Sequence, residues 1–308
     1  MKRATMILAA ALAAILSTAG PSDAKLRVVT TLTEIAALVR EIGGDRVEVT
    51  ALAHGNEDPH FLAAKPSHSR RMMEADLLVY DGLELEVGWL PLLIEGARNP
   101  RIRPGAAGDL DLSRFIQPLE VPSGGVDRSM GDIHPEGNPH YTVDPALYPD
   151  LARAVADRLN ELDSEGASFY EARLAAFERR WTEELTEWKE RLAPLEGIPV
   201  VTYHKQWEYF ARTFGLLIVD QVEDKPGIPP TPRHIGELEQ TIRRENVPWI
   251  FLSDLNDPGN TEKLAERAGC RVLRLPQAVD SRDGTDDLFS WFDELVRVLE
   301  EAEREARR

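Results

Sequence analysis

Apolar and polar positions along the chain follow two alternating periods. Short runs rich in Val, Ile, Leu and Thr recur at residues 26–30, 47–51, 77–80, 198–202, 216–220, 249–253 and 271–275. Each has the length and composition of a strand. Between them lie segments whose apolar residues return every three or four positions, the spacing of one helical face. These fall at 33–42, 67–75, 87–98, 146–162, 207–214, 233–245, 261–268 and 288–304, with Ser67 placed to cap the second of them. Strands separated by helices require crossover connections and therefore predict parallel sheets covered on both faces.

One segment departs from this rhythm. Tyr170, Leu174, Phe177, Trp181, Leu185, Trp188 and Leu192 are spaced by three or four throughout. That predicts a single amphipathic helix over 168–192, roughly 37 Å long at about 1.5 Å per residue. Pro194 and Gly197 end it. An aromatic stripe of that length must be covered, and the helix can tie two lobes together. The expected organisation is a leader at 1–24, an N-terminal lobe at 25–166, a connecting helix at 167–194 and a C-terminal lobe at 195–308. Residues 122–139 are rich in Gly, Pro, Asp and Ser without apolar period, a loop long enough to be a functional candidate.

The leader is read from Lys2 and Arg3, the apolar run from Met6 to Ile15, and the small-x-small sequence Ser22-Asp23-Ala24. Together these have the form of a secretory signal peptide. The run is too short for a spanning helix, which needs about 20 apolar residues. No Cys near the cleavage point offers a site for a lipid anchor, so a periplasmic location is expected. The net charge of −17 becomes one unit more negative once Lys2, Arg3 and Asp23 are removed. Such a surface disfavours nucleic acid and anionic lipid and is compatible with a cation. Cys270 is the only cysteine, which excludes an internal disulfide and a thiolate-rich metal site. It is expected to be a small buried hydrophobe at a strand start.

The chemistry resides in the histidines: His54, His60, His68, His134, His140, His204 and His234. His60 follows the 47–51 strand in Asp58-Pro59-His60. His140 closes the long loop in Asn138-Pro139-His140. His204 sits directly after the 198–202 strand in Tyr203-His204, and Asp280 follows the 271–275 strand in Val279-Asp280-Ser281. Loops at the carboxyl ends of parallel strands converge on the ligand crevice. Three imidazoles and a carboxylate fill a tetrahedral Zn2+ shell, although Mn2+, Co2+ and Ni2+ accept the same donors. Separations of 80, 64 and 76 residues mean that only tertiary structure can assemble such a site.

These four motifs, in this order, with the leader and the long helix, resemble the zinc- and manganese-binding solute-binding proteins of ABC importers, the ZnuA/TroA-like group. The resemblance covers the whole chain after the leader. It implies two α/β lobes, each a parallel-sheet sandwich, joined by one long helix, with metal bound in the interlobe cleft. It implies metal ligands His60 and His140 from the first lobe, and His204 and Asp280 from the second. It further implies a binding role without enzymatic activity, with an ABC permease and its ATPase as partners of a monomer. A periplasmic zinc chaperone is admitted as a loading partner. Manganese-preferring relatives often carry Glu at the third position, so His204 favours zinc, with manganese as the alternative. Many zinc relatives carry a long His-rich acidic loop, whereas residues 124–137 hold only His134 with Asp127, Asp132 and Glu136. His134 and Asp132 are expected to form a weaker accessory metal site feeding His140. Glu57 and Asp58 are placed to orient an imidazole through its second nitrogen, or to sit in solvent. His54 is a candidate neighbour of the site, His68 and His234 belong to first helical turns, and Trp207 and Tyr209 pack beside the cleft.

Capture by neutral imidazoles and an ionised carboxylate should weaken as pH falls through about 6. Release would separate the lobes slightly and draw Asp280 away, with small motions because the long helix restricts the hinge. A fully protein-ligated ion leaves no position for water activation. A metallohydrolase with Glu57 as base is thus a weaker alternative, as is a metal-dependent adhesin. No HExxH, Gly-x-Ser-x-Gly or phosphate-cradling glycine loop is present.

Overall fold

A computed structural model describes residues 25–126 and 130–308. The leader read at 1–24 and Asp127 of the long loop lie outside the described residues. The chain forms two α/β lobes with one long helix between them. In the first lobe, β1 (Leu26–Thr30), β2 (Val47–Ala51), β3 (Leu77–Tyr80) and β4 (Asp109–Asp111) form a parallel sheet in the order β2-β1-β3-β4. In the second, β5 (Pro199–Thr202), β6 (Leu217–Gln221), β7 (Trp249–Ser253) and β8 (Arg271–Leu275) repeat that order as β6-β5-β7-β8. The central strands are the most apolar: Leu77, Leu78 and Val79 of β3, and Ile250, Phe251 and Leu252 of β7, are fully buried. Strands covered on both faces need no alternation of polar and apolar residues.

The first lobe carries α1 (Thr33–Gly43), α2 (Pro66–Glu74), α3 (Leu90–Ala97) and α4 (Tyr148–Leu162). Helix α5 (Ala167–Leu192) joins the lobes, and α6 (Glu208–Phe214), α7 (Pro232–Glu245), α8 (Gly259–Ala268) and α9 (Leu288–Ala306) cover the second sheet. Three local expectations are corrected. Ser67 is not the cap of α2: Lys65 occupies that position and Pro66, pre-set in φ, begins the helix. Helix α3 starts three residues later than the apolar period suggests, because Gly82, Leu83 and Glu84 all adopt positive φ and hold the preceding segment in turns. Strand β4 was missed in the sequence because its three residues, Asp-Leu-Asp, carry no strand period.

The long helix is anchored to both lobes. On the first side, Asp163 accepts from Arg46 at 2.7 Å and from the Tyr170 hydroxyl at 2.7 Å, while Arg173 donates to the Glu41 carbonyl at 2.7 Å. On the second, the Trp188 indole donates to Asp293 at 2.8 Å and Arg191 to Glu300 at 3.2 Å. In between, Trp181 packs on Tyr148 of α4 and on Phe289 and Phe292 of α9, with ring centroids 4.8, 5.1 and 5.6 Å away. The stripe read from sequence is thus buried jointly by the two lobes. Among the described residues no helix is long and apolar enough to cross a membrane.

The lobes also meet directly. Thr33 donates to the Val279 carbonyl at 2.7 Å, and Gln277 to the Gly55 carbonyl at 2.6 Å. The backbone of Gly55 runs so close to this loop that an added Cβ would lie 2.2 Å from the Val279 oxygen. The Tyr209 hydroxyl donates to the Asn138 carbonyl at 2.7 Å and accepts from the Leu119 amide at 2.8 Å. Buried Asp144 accepts from Arg212 and Thr213 at 2.9 and 2.6 Å.

Candidate metal centre

Each candidate donor is placed by a chain reversal at the carboxyl end of a sheet. After β2 the chain turns through a short 3-10 segment, Pro59–Phe61, capped by Asp58. One Asp58 oxygen accepts both the His60 amide, at 2.9 Å, and His60 Nδ1, at 3.0 Å. His204 lies two residues beyond β5, and its Nδ1 meets Glu223 Oε2 at 2.8 Å. His140 caps the 3-10 turn Tyr141–Val143, its amide held by the Asn138 side chain at 2.9 Å. With Nδ1–H donated to a carboxylate, a neutral imidazole keeps a lone pair on Nε2. This is how outer carboxylates orient metal-binding histidines.

The three rings converge. His60, His140 and His204 present donor nitrogens that all lie within 4.8 Å of one another. Their ring centroids are 5.1 to 5.7 Å apart. His60 Nε2 is buried with no hydrogen-bond partner. His140 Nε2 and His204 Nε2 stand 3.2 Å apart. Two lone pairs at that distance repel unless a proton or a cation lies between them. Ligands about 2.0–2.1 Å from a tetrahedral Zn2+ are separated by about 3.3 Å, so the spacing suits a shared ion. Burial, and then the neighbouring His204, His60 and His134, hold His140 well below the usual histidine range, so it is neutral and ready to coordinate. Burial pushes the Asp58 carboxyl up, but its bonds to His60 more than offset this and keep it ionised. The rings border a cavity of about 320 Å3, which Glu57, Glu223 and Asp132 also line.

The other candidates fall in different places. His134 packs against His60 with centroids 5.5 Å apart, and Asp132 lines the same cavity. Asp280 stands outside the donor group: it is exposed, its φ is +60°, and its amide donates to the Thr285 carbonyl at 2.8 Å in a turn that leaves the side chain at the surface. Of the two acidic neighbours of His60, Asp58 orients the ring, whereas Glu57 is occupied by the His54 amide at 2.9 Å and by Lys65. His54 is exposed. His68 is buried in α2, and His234 meets the Gln221 carbonyl at 2.8 Å. Trp207 and Tyr209 are fully buried beside the cleft. Cys270 is half-buried, and burial pushes its thiol up to about 11. The sequence reading missed Glu223; its only signal is a position two residues beyond β6, at the same sheet end as His204.

Two parallel-sheet lobes, bridged by one helix and closing on a set of imidazoles, define a two-lobed binding protein whose site lies between the lobes. The chain belongs to the zinc-uptake complex component A (ZnuA) periplasmic family, whose profile matches residues 28–302. This is a family of substrate-binding proteins and not of enzymes. The chain is similar to the zinc-binding lipoprotein AdcA of Streptococcus pneumoniae serotype 4, at 23% identity over 283 residues, covering 88% of this chain and 54% of AdcA. It is also similar to the manganese ABC transporter substrate-binding lipoprotein PsaA of Streptococcus pneumoniae, at 27% identity over 248 residues, covering 77% of this chain and 74% of PsaA. The chain therefore spans about half the length of AdcA. A crystal structure of ZnuA superposes with a TM-score of 0.74 at 26% identity, covering 91% of this chain and 98% of that one.

Proposed function

We propose that the protein is an extracytoplasmic solute-binding protein that captures Zn2+ in its interlobe cleft and delivers it to the permease of an ABC importer, powered by that importer's ATPase. The observation that carries this reading is the convergence of His60, His140 and His204, with Asp58 and Glu223 fixing the tautomers of His60 and His204. The three imidazoles are the core of the ligand set. Asp280, the carboxylate expected from sequence, is proposed as the fourth ligand; its side chain is exposed and its amide donates to the Thr285 carbonyl. Family membership and the names of AdcA and PsaA support a metal cargo. The choice of zinc over manganese rests on donor chemistry, since imidazole suits zinc whereas manganese favours oxygen. The leader supports export from the cytoplasm, and the protein is proposed to act as a monomer in the periplasm, with any loading chaperone meeting it before the permease.

Competition decides the metal. Purified protein lacking residues 1–24, equilibrated with equimolar Zn2+ and Mn2+, should retain one Zn2+ per chain by elemental analysis. Retention of Mn2+ in preference would overturn the zinc assignment while leaving the transport role standing.

A further inference from the structure

We propose that the groove beside β3 and α3 on the first lobe, with the exposed ridge at Val87, is the surface on which a basic, apolar segment of the importer's permease docks. The inference rests on the reading of the protein as the binding component of an ABC importer, and goes beyond it by placing the partner on named residues.

The groove has a volume of about 640 Å3, with walls built from Tyr80, Val87, Leu90, Pro91, Ile94 and Pro104. Its size and apolar lining are those of a recognition pocket. Val87 stands at its lip, 60% exposed. Val87 and Glu84 also border a second cavity, of about 310 Å3, which reaches Phe61 and His60. Phe61 is 69% exposed. An apolar band therefore runs from the mouth of the metal cleft, past Phe61 and Val87, into the groove. Large apolar side chains that stand together in water mark an interaction surface, whereas scattered ones do not.

The ridge is held in place by its backbone. Gly82, Leu83 and Glu84 take φ of +87°, +50° and +64° in succession. Non-glycine residues adopt this conformation rarely, and as single residues more than as runs. Buried Glu86 secures the turn by accepting the Asp81 and Gly82 amides at 2.8 and 3.1 Å. The Trp89 indole donates to the Pro59 carbonyl at 2.8 Å and ties the ridge to the turn that carries His60. Val87 thus projects from a segment fixed on both sides, so docking there needs little further ordering.

Charge selects the occupant. Glu84 and Glu95 are exposed at the groove, and among the described residues neither is in an ion pair. Buried Glu86 adds a third acid, against the single cation Arg103 among the described residues that line the groove. A segment carrying Lys or Arg beside an apolar side chain complements this set. A second copy of the chain brings the same strongly negative charge and is repelled, as is an anionic lipid surface. The permease must meet the protein where the ion leaves it, and the groove is continuous with that cleft.

The test titrates the Zn2+-loaded protein lacking residues 1–24 onto its importer, permease and ATPase together, held in nanodiscs of neutral lipid and read by biolayer interferometry. Val87→Asp should weaken association about tenfold or more, the loss expected of a central apolar contact. Glu84→Lys should weaken it most at low salt. Leu92→Asp, at an exposed apolar position of α3 outside the groove lining, should leave it unchanged. Zn2+ affinity by chelator competition and the thermal midpoint should stay the same in all three; if Val87→Asp shifts the midpoint, Val87→Ser is read in the same way. Undiminished association of Val87→Asp, or a loss that tracks a fall in Zn2+ affinity, would overturn the proposal. So would a dimer in ultracentrifugation that Val87→Asp dissolves, which would give the groove to a second copy, or equal binding to empty nanodiscs, which would give it to lipid. An unaltered protein that binds Zn2+ but never associates with the importer would instead remove the transport reading beneath it.

Discussion

Asp81 illustrates how much of this molecule turns on single buried groups. Its carboxyl is fully buried at the end of β3, and neither oxygen has a hydrogen-bond partner. Burial, and then the charges of Glu86, Glu34 and Asp111, push it well above the ordinary carboxylate range. Nearby Glu86, also buried, is pushed up to about 6 for the same first reason. A folded-state carboxyl raised in this way binds a proton that the unfolded chain gives up. Its cost is absent below the ordinary carboxylate range and grows as pH rises toward the folded value, by at most about 1.4 kcal/mol per pH unit. Asp81→Asn removes that cost. Its thermal midpoint should exceed that of the unaltered protein, by more at pH 8 than at pH 5. An equal or lower midpoint across that range would show that Asp81 has partners that keep it charged.

At the scale of elements, the parts that were legible in sequence share one property: their residues answer to a single period. The stripe from Tyr170 to Leu192 reads as one helix because every third or fourth residue is apolar, and α5 runs from Ala167 to Leu192. Turn geometry is what the period could not supply. Positive φ at Leu83 and Glu84 delays α3, and Asp-Leu-Asp joins the first sheet only because β3 offers it an edge. The same divide separates the site residues. His60 and His204 were visible as histidines just past strands, and His140 as the end of a long loop. Glu223 was invisible, because an acidic residue in a loop is commonplace and only contact with His204 distinguishes it. Asp280 looked equivalent to the histidines by position, yet the left-handed turn at that residue decides where its side chain lies. Helix α5 makes its own prediction. Trp181 touches aromatic rings from both lobes and donates to the Pro145 carbonyl at 2.7 Å. Trp181→Ala should cost about 3–5 kcal/mol in denaturant unfolding and lower the stability of both lobes in one transition. A loss confined to one lobe would contradict the view of α5 as a shared core.

For the whole molecule, the cleft is bounded by a rigid strut on one side and by direct lobe contacts on the other. The Thr33–Val279 and Gln277–Gly55 bonds, the Tyr209 hydroxyl and the Asp144 cluster all tie first-lobe segments to second-lobe segments. A wide hinge would have to break these together while bending a 26-residue helix packed against helices of both lobes. Metal capture and release should therefore proceed through the loops around the imidazoles. Small-angle scattering of the metal-free and Zn2+-loaded protein should give superimposable profiles. A clear contraction on loading would mean that the lobes rotate as bodies.

The account depends most on three neutral imidazoles meeting at one cation. Zn2+ affinity of the protein carrying His60→Ala, His140→Ala and His204→Ala together, measured by chelator competition against the unaltered protein, addresses that point directly. The fall should far exceed the about 10–100-fold cost of disturbing an outer partner, and the one-to-one stoichiometry should disappear. One Zn2+ bound per chain at undiminished affinity would place the ion elsewhere.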